Sequence, residues 1–138
     1  MDLEQHWRAI YGQARNALDA ANLDDVPIVH VHSEDGPLSA SVDPPFVAYR
    51  DETLSSIGSV AGGTLKVLVS NWVFSCYAVD LTEALACASA VASIVDNAFT
   101  TVDGYTTTGI DPVGLQSIYE SDSKLYAVHL RLRWERST

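Results

Sequence analysis

The last strand decides the fold, and it reads Leu125-Tyr126-Ala127-Val128-His129-Leu130-Arg131-Leu132-Arg133-Trp134-Glu135. Every second residue from Tyr126 to Trp134 is large and apolar, and the residues between them are small or polar. Successive side chains of a strand point to opposite faces of a sheet. The segment is therefore predicted to be a strand with its Tyr126 to Trp134 set in the core.

The residues before this strand predict a hairpin at the end of the chain. Val113–Tyr119 has a strand-forming composition, and Ser121-Asp122-Ser123 supplies a turn between it and Leu125. Residues 100–112 are rich in threonine and contain the turn signals Asp103-Gly104 and Asp111-Pro112. We expect them to form a loop or a frayed edge.

A strand region feeding directly into an alanine-rich helix lies further upstream. Residues 64–80 are the most β-prone part of the chain, and they predict either one long bent strand or a hairpin turning at Ser70-Asn71. Asp80 or Thr82 is the expected cap of a helix running from Thr82 to Phe99. Its many alanines make the helix thin, so it can lie close on a sheet.

The first third of the chain predicts one helix and two short strands. Apolar residues recur at three- and four-residue spacing through residues 2–21, which is typical of an amphipathic helix. A strand is expected from Ile28 to His32, then a turn-rich loop over residues 33–45, then a strand from Phe46 to Arg50.

Residues 51–63 have little with which to pack, because nearly all of them are polar or small. This composition predicts a mobile loop or arm. We expect it to contact a partner, through the candidate residues Asp51, Glu52, Ser55, Ser56 and Gly58.

Together these elements predict a single α+β domain over residues 1–138. We expect a mixed or antiparallel sheet of about four to five strands, with two helices packed on one face. The length is typical of one domain, and the 47% of hydrophobic residues is enough to build a core.

The charge is strongly acidic and unevenly distributed. A formal net charge of −10 repels a polyanion, which argues against sequence-specific binding of nucleic acid. Residues 124–138 nevertheless hold four of the eight cations. Three of these, Arg131, Arg133 and Arg136, are candidates for a contact with an acidic neighbouring subunit. The alternative is that they form a solubilising strand edge.

The sequence offers no signature of catalysis, so we predict a protein that is not an enzyme and that needs no cofactor. His30 and His32 share a strand face and could hold a metal, but they lack a third ligand at a specific spacing and are better read as polar residues on a wet face. Cys76 and Cys87 are predicted to be reduced core thiols rather than a disulfide. No apolar run is long enough to cross a membrane, and we expect no membrane partner.

In layout the chain resembles the tail-terminator, or tail-completion, proteins of long-tailed bacteriophages. Three parts carry the resemblance, and they span about two thirds of the chain: the strand Pro45-Phe46-Val47-Ala48-Tyr49, the strand Trp72–Val79 running into the helix Thr82–Phe99, and the last strand ending Leu130-Arg131-Leu132-Arg133-Trp134-Glu135.

The resemblance implies a structural virion protein of the tail or neck, assembled in the host cytoplasm. Such a protein forms a ring with copies of itself, commonly a hexamer, which caps the tail-tube protein and joins it to the head–tail connector or stopper protein. DNA passes through the lumen without specific binding. The alternatives are a head-completion, stopper or other neck protein, a small-ligand-binding or enzymatic α+β domain, and a host adaptor that binds peptides along a sheet edge.

Overall fold

The computed structural model describes residues 3–30, 43–60, 65–96 and 101–138. These residues form two α-helices and six strands, with bounds α1 Leu3–Ala20, β1 Ile28–His30, β2 Phe46–Val60, β3 Leu65–Ala78, α2 Leu81–Ala92, β4 Thr101–Val102, β5 Tyr105–Glu120 and β6 Leu125–Ser137. A short 3₁₀ turn, Ser93–Asp96, extends α2.

The six strands form one sheet in the order β1-β2-β3-β6-β5-β4. β1 pairs with β2 in parallel, and every other pair is antiparallel. The α+β class and the mixed sheet are confirmed. The expected number of about four to five strands is wrong, because Thr101–Val102 adds a short strand at the edge of β5.

α1 ends at a left-handed residue. Asn22 has a φ of 60°, and the backbone N–H of Leu23 donates to the carbonyl of Leu18 at 2.8 Å. A left-handed residue followed by a hydrogen bond back to a carbonyl of the last turn is a common way for an α-helix to end. The Arg15 side chain then donates to the carbonyls of Leu23 and Val26, which ties the helix to the segment leading into β1.

The prediction of a mobile arm over residues 51–63 is wrong where the structure describes it. Residues 51–60 belong to β2, which pairs with β3 from Phe46↔Tyr77 to Val60↔Leu65. Two register shifts, at Asp51/Thr53 and Ile57/Ser59, mark irregularities in this ladder. Backbone hydrogen bonds along an antiparallel pair do not depend on side-chain size, so a strand poor in apolar side chains can still form beside a strongly β-prone one. Residues 61–63 lie outside the described residues.

β3 is one continuous strand, which settles the choice left open for residues 64–80. Ser70 and Asn71 lie in its middle, paired with β2 on one side and with β6 on the other. The loop predicted for residues 100–112 is wrong from Tyr105 onward, because that part begins β5 and pairs with the far end of β6. The loop expected at residues 33–45 lies mostly outside the described part of the chain.

α2 begins as the sequence predicts. The Asp80 carboxylate accepts the backbone N–H of Thr82 at 2.9 Å, which makes Asp80 the N-cap. The helix ends earlier than the predicted Phe99, because Ser93–Asp96 tightens into a 3₁₀ turn. Residues 97–99 lie outside the described residues.

Both helices pack on one face of the sheet, as predicted. The core there joins apolar residues of α1 and α2 to those of β2, β3 and β6, and its largest fully buried side chains include Trp72, Trp134, Phe74, Ile10 and Leu18. The predicted core set of β6, from Tyr126 to Trp134, lies in or against this cluster. Cys76 and Cys87 are buried free thiols within it, and burial raises the pKa of both.

A smaller apolar cluster lies on the opposite face of the sheet. It contains Phe46, Ala48, Tyr77, Leu125 and Ala127, and the rings of Phe46 and Tyr77 stack with their centroids 5.0 Å apart. Tyr77 therefore lies on the opposite face of the sheet from Trp72 and Phe74, which face the helices. Neither helix in the described part of the chain has an apolar stretch long enough to span a bilayer.

Candidate functional site

The sheet face opposite the helices carries the predicted arginine pair. Arg131 Nη1 lies 3.0 Å from Glu52 of β2, and Arg133 Nη1 lies 3.1 Å from Glu135 and 4.0 Å from Asp111 of β5. These side chains are a third to two thirds exposed, so solvent screens the pairs and each contributes little to stability. Both arginines already have acidic neighbours within their own chain, and a contact with another subunit stays a prediction.

Arg136 does not share that face, which corrects the expectation of an exposed arginine at the strand end. Its side chain lies on the helix side and is 3% exposed, because it has the same parity along β6 as Trp134. The guanidinium lies 5.0 Å from the centre of the Trp134 ring and hydrogen-bonds His6 Nδ1 of α1. Burial lowers the pKa of Arg136 to about 10. The residue fixes the start of α1 to the end of β6, and in this fold it is not available to a neighbour.

The candidate loop residues are placed in or beside the β2–β3 ladder. Asp51 pairs with Trp72, Ser55 with Val69, and Ser56 with Leu68, while Gly58 lies at the second register shift. Glu52 lies at the first shift and approaches Arg131 across the sheet. The structure brings together Glu52 and Arg131 from the two predicted sets, and a partner-binding role for either set stays a prediction.

A serine and a histidine meet on the same face. Ser75 Oγ lies 2.7 Å from His129 Nδ1, and the His129 ring meets Tyr77 edge to face. Burial lowers the pKa of His129 and so favours the neutral imidazole. In the part of the chain that the structure describes, no three His, Cys, Asp or Glu side chains lie close enough together to hold a metal. The side chains of His30 and His32 are outside that part.

The distal half of β5, residues 111–120, is exposed along most of its length. Val113, Leu115, Ile118 and Tyr119 are all large, apolar and at least 40% exposed. Leu115 and Tyr119 pair with Leu130 and Tyr126 and so share the helix side, whereas Ile118 pairs with Ala127 on the opposite side. This half-strand therefore presents apolar side chains on both faces.

The outer edge of β5 is also open. β4 pairs with β5 only at Tyr105 and Thr106. Within the described residues, no strand pairs with the edge of β5 that faces away from β6, from Thr107 to Glu120. An unpaired row of backbone N–H and C=O groups is a template for pairing with another chain.

A groove of about 380 Å³ separates α2 from this half of β5. One wall comes from α2, the other wall and the floor come from β5 and β6, and none of the lining residues is charged: Leu85, Ala88, Ser89, Ala92, Pro112, Gly114, Leu115 and Leu130. We call this groove together with residues 113–119 the β5 surface.

The sequence prediction did not identify the β5 surface, although a signal was present. Val113 and Leu115 follow strand alternation, but the adjacent Ile118 and Tyr119 must point to opposite faces. Two helices on one face of a sheet cannot bury both. An edge strand with apolar residues of both parities is thus a signal of contact outside the chain.

No protein-family model and no curated protein matches this chain. Among solved structures, it is similar to a chain described as "Virion of native gene transfer agent (GTA) particle". The match has a TM-score of 0.68, 19% sequence identity, and covers 94% of this chain and 92% of the other. At that identity the comparison shows a shared fold over nearly the whole of both chains.

Proposed function

We propose that this chain is a structural subunit of a phage-like particle, and within it the tail terminator that caps the tail tube and joins it to the head connector. The observation that carries the proposal is the fold likeness, over 94% of the chain, to a component of a gene transfer agent virion. The resemblance of the sequence layout to tail terminators points the same way. In this proposal the chain is not an enzyme, and it acts as a ring, commonly of six copies.

The β5 surface supports an assembly role. A folded monomer rarely exposes several large apolar side chains next to a charge-free groove and an open strand edge. Such features are typical of surfaces that are covered in the working state. A head-completion or stopper protein would show them as well, so the nature of the partner discriminates between the two neck roles.

The charge of the chain supports the proposed passage of DNA. A net charge of −10 on each subunit gives a ring a strongly negative field, and DNA in its lumen would be repelled from the wall rather than held. The described cations that cluster on the sheet, Arg131 and Arg133, have acidic neighbours and add little net positive charge.

The test is an image of the purified chain, alone and with tail-tube protein. We expect rings by negative stain and one ring stoichiometry by native mass spectrometry, and we expect these rings to cap the ends of tail tubes. Rings that bind only the head connector would favour the stopper role. A monomer at every concentration, with no affinity for tubes or connectors, would contradict the proposal.

The predicted arginine contact has its own test. Reversing both charges, Arg131→Glu with Arg133→Glu, should weaken ring assembly while the circular dichroism spectrum stays that of the wild type. Arg8→Glu is the control, because Arg8 is an exposed cation on α1 paired only with Glu4 among the described residues. Rings that are unchanged by the double charge reversal would show that the two arginines are not interface residues.

A further inference from the structure

We propose that the β5 surface is covered by a second copy of this chain. The inference rests on the proposed function and deepens it, because it assigns one of the two surfaces through which each subunit of the ring meets its neighbours. This surface needs a cover, its shape accepts packed side chains, and its lack of charge suits a like-charged partner.

The need for a cover comes from the hairpin itself. The distal half of β5 is hydrogen-bonded to β6 on one side only, and its apolar side chains are exposed on both faces. Leu115 is 65% exposed and Tyr119 is 53% exposed, although their partners Leu130 and Tyr126 lie in or against the core. A cover that is always present removes this apolar area from water.

Five of the eight large exposed apolar side chains of the described residues belong to this surface: the four on β5 and Leu85 on α2. The other three are Val79 and Leu81, where β3 passes into α2, and Tyr11 on α1. Leu85 lines the groove, so the α2 and β5 contributions meet there. A cluster on this scale is typical of a protein interface and exceeds the scattered apolar residues of an ordinary surface.

The α2 wall of the groove has the spacing of a packing surface. Leu85 and Ser89 are four residues apart, as are Ala88 and Ala92, and Leu85 and Ala88 are three apart, which places all four on one side of the helix. Three of the four are small, so a neighbouring side chain or backbone can approach α2 closely. The partner's apolar groups then reach Leu115 and Leu130 on the floor.

Charge selects this surface as a place where two copies can meet. Copies that each carry a charge of −10 repel one another at most orientations. The groove lining and residues 113–119 contain no charged side chain, so a copy that docks here meets no acidic group of this surface. A second copy of the chain is always present in the same amount as the first, so it can cover this surface permanently. Closed homo-oligomers are also the commonest soluble assemblies.

The decisive variant is Leu115→Glu, compared with Ala86→Glu as a control. Ala86 is an exposed residue of α2 that lies outside the groove lining and outside residues 113–119. Both substitutions replace an exposed apolar side chain with a negative charge. Only Leu115→Glu places that charge in the groove.

Native mass spectrometry and sedimentation velocity across a dilution series give the outcome. We expect Leu115→Glu to raise the dissociation constant at least about tenfold, because assembly then buries an unpaired charge. We expect Ala86→Glu to stay within about threefold of the wild type. Thermal unfolding of dissociated Leu115→Glu should match that of dissociated wild type, because residue 115 is exposed in the single chain.

Each remaining outcome separates this inference from the proposed function. Wild-type rings that persist in Leu115→Glu overturn the inference and leave the ring intact. A wild-type dimer that Leu115→Glu dissolves upholds the inference and contradicts the ring. A wild-type monomer in which tail-tube protein slows backbone hydrogen exchange at residues 113–119 overturns the inference, because a different protein is then the cover.

Discussion

β5 and β6 are neighbouring strands of one hairpin, paired from Thr106↔Ser137 to Glu120↔Leu125, yet they meet opposite environments. The helix side of β6 is buried from Tyr126 to Trp134, whereas β5 is exposed from Asp111 to Tyr119 except at the half-buried Gly114. Their apolar content does not explain the difference, since both strands carry leucine and aromatic side chains. β6 lies between β3 and β5 and contacts α2, whereas β5 lies one strand nearer the sheet edge, and only its first half, with Tyr105, Thr107 and Ile110, is buried. Position in the sheet decides whether an apolar stretch of strand is buried or exposed.

The largest effect should come from removing the aromatic anchor of β6. Trp134→Ala is expected to lower the free energy of unfolding by about 3–5 kcal/mol, because the side chain is fully buried. Urea denaturation followed by circular dichroism measures it. Trp134→Phe separates the hydrogen bond from the packing, since it keeps a ring but loses the bond from Nε1 to Thr107 Oγ1 at 3.0 Å. A loss below about 1 kcal/mol for Trp134→Ala would contradict the burial of β6.

The sharpest comparison uses two leucines that face each other across the hairpin. Leu130 is 4% exposed and its register partner Leu115 is 65% exposed. We expect Leu130→Ala to cost about 2–5 kcal/mol of unfolding free energy and Leu115→Ala to stay within about 0.5 kcal/mol, both measured on the dissociated chain. Equal losses would mean that the distal half of β5 is packed within the monomer.

A smaller effect is expected for the ion pair that links β5 and β6 on the sheet face opposite the helices. Removing Arg133, by Arg133→Ala, should change the free energy of unfolding by less than about 1 kcal/mol, because the pair with Asp111 is exposed and 4.0 Å apart. A double-mutant cycle with Asp111→Ala measures the coupling. A coupling above 1 kcal/mol that salt does not weaken would show that solvent does not screen this face.

The smallest effect concerns pH. Burial lowers the pKa of His129 in the folded chain, so below the ordinary pKa of about 6.5 the unfolded chain binds a proton that the folded chain does not. His129 thus contributes stability that is complete above pH 6.5 and is lost as the pH falls toward the folded pKa. The difference in unfolding free energy between wild type and His129→Gln, measured from pH 8 to pH 5, should shrink with falling pH. A constant difference would contradict the lowered pKa.

Much of the fold was predictable from local pattern. The stripe of α1, the alternation of β6, the cap at Asp80 and the passage of β3 into α2 were each expected where the structure has them. These features have a period or a capping group that acts within one element. The candidate site was less predictable, because Arg136 follows the parity of Trp134 into the core and the β5 surface depends on which strands lie side by side.

Residues 51–60 show why composition alone misled. Their serines and glycine lack apolar side chains, and the sequence predicted a mobile arm. The structure pairs them with β3, whose own other edge is held by β6. Backbone hydrogen bonds to a neighbouring strand can thus stabilise a strand whose own composition does not predict one.

Local sequence pattern was enough to establish the elements that depend on neighbours a few residues away: an amphipathic first helix, a β-rich middle, a thin second helix and an alternating last strand. The composition also sets the acidic charge. The tertiary structure alone decided the number of strands, the burial of Arg136 and the exposure of the distal half of β5. These depend on which strands lie side by side and how far two helices reach across a six-stranded sheet, because burial is a property of the packed layers rather than of any one segment.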